Sequence, residues 1–177
     1  MKALRGFTDT MTWTETGKRT YALHAGSDIV ATLSWPKGFG SPAQAETAEG
    51  RVAIERSGLL RPRVIVREEG PAAAGEPDGQ PMSQRAPLVS LEVDLGGRGV
   101  ARTRTQKTLS WSPLNLWRTT WALEEGTKTL VTFEADSAVK FGHKVRVSAD
   151  VPDLGTLVLL GSAVGVFLSE DSAIFGI

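Results

Sequence analysis

The chain has no cysteine among its 177 residues. This excludes a disulfide framework, a thiolate metal centre and a cysteine nucleophile. Histidine is nearly absent too: only His24 and His143 occur. His24 opens the "HAGSD" turn and could approach Asp28, but one histidine and one aspartate make an incomplete metal site. Both histidines are therefore expected at the surface, and no metal or cofactor is expected. Net charge is missing, since 20 basic residues balance 20 acidic ones. Nothing global then draws the protein to nucleic acid, which is not an expected partner. The opening "MKALRGFTDTMTW" lacks the apolar stretch of a signal peptide, so the expected location is cytoplasmic. No G-x-S-x-G, Walker A, HExxH or EF-hand pattern occurs.

The dominant pattern is alternation with a period of two. "DIVATLSW" places Ile29, Ala31, Leu33 and Trp35 on one face. "RVAIER" turns Val52 and Ile54 one way, and "PLVSLEVDL" does the same with Val89, Leu91, Val93 and Leu95. "WRTTWALE" sets Trp117, Trp121 and Leu123 against Arg118, Thr120 and Glu124. "HKVRVSA" alternates Val145 and Val147 with Lys144, Arg146 and Ser148. Such segments are strands with one dry and one wet face, which is the signature of antiparallel sheet. Gly26-Ser27, Gly96-Gly97 and Gly126-Thr127 supply hairpin turns. About ten to twelve strands are expected, enough for a closed barrel. The segment "EEGPAAAGEPDGQPMSQRAP" has no hydrophobic period and reads as a flexible loop at about 70–86. A single domain over residues 1–177 is expected.

One stretch differs from the rest: "DLGTLVLLGSAVGVFLSE", residues 153–170. Pro152 ends the preceding strand and Asp153 is placed to cap a helix. At about 1.5 Å per residue, the apolar run 154–168 reaches roughly two-thirds of a 30 Å hydrocarbon core. Its flanks are acidic, whereas a cytoplasmic-side anchor carries Lys or Arg. No transmembrane segment is expected. A run with no polar face lies either in a core or in a membrane; a buried helix is expected, with membrane insertion or an oligomer contact as the alternatives. The small residues Gly161 and Gly165 suit a helix packed tightly within a shell. The expected architecture is mainly β: a closed antiparallel barrel enclosing a hydrophobic C-terminal helix at about 153–169.

The hairpins "TYALHAGSDIVATLSW" and "LWRTTWALEEGTKTLVTFEAD", followed by "HKVRVSADVPDLGTLVLLGSAVGVFLSE", resemble the tubby C-terminal-like superfamily. That group includes Tubby-like proteins, phospholipid scramblases and LURP-one-related proteins, and the chain looks like a bacterial member. The resemblance covers roughly the whole chain. It implies a fold more than an activity, and no binding residue carries over from it. The cysteine cluster and acidic calcium loop of scramblases have no counterpart here.

The sharpest local feature is "GRGVARTRTQKT", residues 97–108, where Arg98, Arg102, Arg104 and Lys107 occur without an acidic residue. Arg102 and Arg104 would share a strand face by period two. Guanidinium groups fork onto phosphate, so these four residues are the candidate anion site, with a solvated outer face as the plain alternative. No catalytic residues are singled out. The leading expectation is a non-enzymatic interaction domain meeting anionic lipid head groups or a protein partner. The alternatives are a carrier of a small apolar ligand inside the barrel and, third, an enzyme at the barrel mouth.

Overall fold

The protein is described by a computed structural model covering residues 1–4, 10–38, 41–58, 61–70, 85–94, 96–135, 143–149 and 151–175, without the side chains of 169–175. The expected loop at about 70–86 lies mostly outside these residues.

Six strands lie in the first part of the chain: β1 (Thr10–Gly17), β2 (Thr20–Ala25), β3 (Asp28–Ser34), β4 (Ala43–Thr47), β5 (Gly50–Ser57) and β6 (Arg63–Glu68). Six lie in the second: β7 (Val89–Val93), β8 (Gly99–Thr103), β9 (Thr108–Pro113), β10 (Thr120–Glu125), β11 (Lys128–Ala135) and β12 (His143–Val147). The helix α1 spans Leu154–Phe175. Each strand pairs antiparallel with its sequence neighbours, and β1 pairs with β12 to close a twelve-stranded barrel. The alternation sends apolar side chains inward and leaves Thr14, Gln44, Arg63, Arg102, Lys144 and Arg146 exposed outside. This is the reverse of a membrane barrel, which carries its apolar band outward. Among the described residues no helix is long and apolar enough to cross a membrane.

The helix fills the barrel. Its side chains from Leu154 to Phe167 are buried, apart from a half-buried Thr156. It packs against β3, β6, β7, β11 and β12, strands spread around the whole circumference. Strands about 4.8 Å apart, tilted by about 40°, close twelve-fold at a diameter of about 24 Å. A helix about 10–12 Å wide then leaves roughly 6 Å on every side for the inward side chains of the sheet. Where a bulky ring points inward, the helix must be bare. A Cβ on Gly161 would overlap the Phe133 ring, and one on Gly165 would overlap the His143 imidazole. The indole Nε1 of Trp13 donates to Ser162 Oγ at 2.8 Å, tying β1 to the helix by a buried bond.

Four expectations are corrected. His143 is 1% exposed and begins the inward row His143, Val145, Val147, so it is not a surface residue. Ile29 is exposed, because a bulge shifts the register between Leu23 and His24 and buries Val30 and Ala31 together. Asp153 has φ +61, not the extended backbone of a side-chain cap. It caps through its carbonyl, which accepts from Leu157 N at 3.0 Å. Trp117 lies outside the core and is described below.

The barrel also contains an internal repeat. Thr20, Ala22, Leu23, Gly26 and Thr32 recur as Thr120, Ala122, Leu123, Gly126 and Thr132. The pairing registers recur with them. Ala31 faces Thr47 and Leu33 faces Ala45, just as Val131 faces Val147 and Phe133 faces Val145. Trp13 faces Leu23 as Trp111 faces Leu123. Both inner hairpins turn on a glycine in the left-handed region, φ +60 at Gly26 and +62 at Gly126. Both also carry a bulge just after the leucine. Strands β1–β4 and β9–β12 are thus two copies of one four-strand unit. In the second copy His143 stands where the first has Ala43.

Candidate binding surface

Antiparallel neighbours place alternate connections at opposite ends of a barrel. The chain enters α1 from β12 at one end, here the entry end. The β2–β3, β4–β5, β6–β7, β8–β9 and β10–β11 connections lie there too. The other connections lie at the far end. The helix confirms the direction: Gly155 sits beside Thr47 and Glu49 at the entry end, while Phe167 meets Arg56 at the far end.

This topology separates the four sequence candidates. Arg98 sits in the β7–β8 turn at the far end, where its backbone N donates to Asp94 Oδ1 at 2.9 Å. Arg102 points outward from β8, facing Ser90 and Thr108. Arg104 does not continue the strand. It lies in the turn held by Thr103 N to Lys107 O at 3.0 Å, at the entry end. Lys107, also in that turn, pairs with Glu125 Oε1 at 2.9 Å. Six residues of extended chain separate Arg98 from Arg104, about 20 Å. The four side chains therefore form no common anion cradle. Gly161 and Gly165 do sit where helix packing requires them.

The far end has a different character. Its described connections carry Lys18, Arg19, Lys37, Arg61, Arg98 and Arg118 against one acid, Asp94. The helix continues toward the same end with Glu170 and Asp171. Lys18, Lys37, Arg61, Arg98 and Arg118 are exposed and make no ion pair among the described residues. The entry end is balanced, with Arg85, Arg104 and Lys107 against Glu49, Glu69 and Asp153 in its described connections. A net charge of +0 thus conceals a cationic end.

The same end exposes the largest apolar side chains. The β9–β10 loop leaves Leu116 98% and Trp117 86% exposed, with Leu114 half out. Asn115 holds this loop in shape. Its Oδ1 accepts from Thr119 N at 3.0 Å, and its Nδ2 donates to Thr119 Oγ1 at 2.8 Å and Thr120 Oγ1 at 3.2 Å. Leu114 N donates to Thr120 O at 2.8 Å, so the two strands are already joined beneath the tip. Arg118 follows with φ +52. Trp117 thus leaves the inward row despite matching its period. The signal available in the sequence was Pro113 with Asn115, a turn-forming pair.

An open outer depression of about 540 Å³ is lined by Thr32, Ser34, Gln44, Glu46, Arg51 and Glu69, where Arg51 pairs with Glu46 and Gln44 Nε2 donates to Glu69. Beside the helix, Arg56, Val64, Val93, Val164 and Phe167 enclose about 10 Å³, room for one water at most. No cluster of three or more metal-ligating side chains occurs among the described residues. No family model, curated protein or solved structure matches the chain.

Proposed function

We propose that the protein is a non-enzymatic interaction domain that docks its cationic end on an anionic lipid surface. The observation that carries this reading is the segregation of Lys18, Lys37, Arg61, Arg98 and Arg118, exposed and without an ion pair among the described residues, to one end of the barrel. Each basic side chain near an anionic leaflet contributes about 1 kcal/mol, so a handful suffices for reversible attachment. The arrangement itself, a closed antiparallel barrel around an apolar C-terminal helix, supports placing the chain with the tubby C-terminal-like superfamily. A bacterial origin and a cytoplasmic location belong to the same reading. A carrier role is disfavoured because the helix occupies the interior.

Vesicle co-sedimentation tests the proposal. Recovery with phosphatidylserine-containing vesicles should exceed recovery with neutral vesicles and should fall as salt rises. Arg98→Gln with Arg118→Gln should weaken it, while Arg102→Gln with Arg104→Gln should leave it nearly unchanged. The reverse ranking would relocate the site to the β8–β9 turn. Equal recovery from neutral and anionic vesicles would remove the lipid reading.

A further inference from the structure

The β9–β10 loop has more chain than its connection needs. In the first copy of the repeat, Glu15 faces Tyr21 across a turn of two residues, Lys18 and Arg19. In the second copy the corresponding Trp121 faces Pro113. Between these equivalent pairs the second copy holds seven residues where the first holds five, and its tip carries Leu116 and Trp117. The strands it joins are the counterparts of strands that a tight turn joins equally well. Barrel geometry therefore does not account for the longer loop or for its apolar tip.

Its composition and setting suit one kind of surface. Trp and Leu side chains held out on a tip, followed at once by Arg118, match the layering of a bilayer interface. There apolar groups enter the acyl boundary, an indole sits at headgroup level and a guanidinium meets phosphate. Arg98 in the adjacent β7–β8 turn adds a second cation beside the tip. The Asn115 bonds preset the loop, so little ordering cost remains on contact.

We infer that the β9–β10 loop is an insertion finger, which places Leu116 and Trp117 in the interfacial layer of an anionic bilayer while the cationic end rests on the headgroups. The inference rests on the lipid-docking reading and adds a penetrating element that charge alone would not require.

Trp117 makes the test direct. Trp13, Trp35, Trp111 and Trp121 are all buried, so Trp117 is the one tryptophan open to solvent or lipid. The full chain is mixed with phosphatidylserine-containing vesicles whose acyl chains are brominated near the headgroup. Tryptophan emission should be quenched, and the quenching should disappear in Trp117→Phe. Leu116→Ser with Trp117→Ser should lower partitioning at physiological salt by about tenfold or more, with circular dichroism unchanged. Sedimentation without quenching would overturn the finger and leave electrostatic docking standing. No sedimentation at low salt would overturn both. Self-association abolished by the double serine variant, without vesicle binding, would assign the tip to a second copy of the chain and overturn the inference.

Discussion

The tightest constraints in this protein act on single atoms along the helix. Gly161 lies under the Phe133 ring with no space for a methyl group. Gly161→Leu should destabilise severely, beyond the about 1–3 kcal/mol typical of overpacking, because ring and helix are both confined by the shell. Gly161→Ala should also destabilise, although alanine favours helix by about 1 kcal/mol. Denaturant titration would show this as a lowered midpoint. Phe133→Leu added to Gly161→Ala should restore part of the loss, and strict additivity would mean the two sites do not touch. Ser162→Ala removes the acceptor of the Trp13 indole and should cost about 1 kcal/mol. At this scale the sequence was only partly legible. Gly161 and Gly165 were readable as packing residues because small residues in an apolar helix imply close approach. The rings they face were not readable, since nothing in a linear pattern says that Phe133 and His143 meet them. His143 itself was open to a better reading, because the row Val145, Val147 extends back onto it by the same period.

At the scale of elements, alternation revealed the strands and its interruptions deceived. The bulge after Leu23 displaces one residue, so Ile29 faces solvent although it is in step with Leu33. The hairpin tip at Asn115 ejects Trp117 although it is in step with Trp121. Both errors arise because a period of two carries no mark where the chain inserts a residue or leaves the sheet. The helix was legible for a sturdier reason: a run without any polar face has few places to go. Its burial also predicts its sensitivity. Leu160→Asp puts a charge where neither water nor a cation is available, and the variant should lose its cooperative unfolding transition. An outer substitution such as Arg146→Gln should change stability by less than about 0.5 kcal/mol. Circular dichroism melts of the two variants side by side would decide whether the helix or the shell governs stability.

For the molecule as a whole, the charge balance of +0 is a poor guide to behaviour, because the described connections of one barrel end are cationic while those of the other are balanced. The sorting was hidden in the sequence. Arg98 and Arg104 are close along the chain, yet an intervening strand carries them to opposite ends, while Lys18 and Arg118 are far apart and share one. Topology brings together what the linear cluster of residues 97–108 only imitates. The repeat of β1–β4 in β9–β12 was written in the sequence as identical residues at equal spacing. It becomes convincing only when the registers are seen to coincide. The two copies should respond alike to equivalent changes. Leu23→Ala and Leu123→Ala are each fully buried beside a tryptophan, and each should cost about 2–5 kcal/mol. Equilibrium unfolding of both variants would check this, and a large inequality would mark one copy as the dominant support of the helix.

The order in which the chain is made runs against the order in which it must be packed. The helix that fills the centre is translated after all twelve strands, yet it lies inside the ring that β1 and β12 complete. A ring sealed first would shut out its own filling. Pairing of β1 with β12 is therefore expected to come with or after docking of the helix, not before it. A chain with β1 and β12 still unpaired would present two bare edges and an apolar trough, features that invite pairing with other chains. The link 148–153 between β12 and the helix then bears on the timing of assembly as well as on connection.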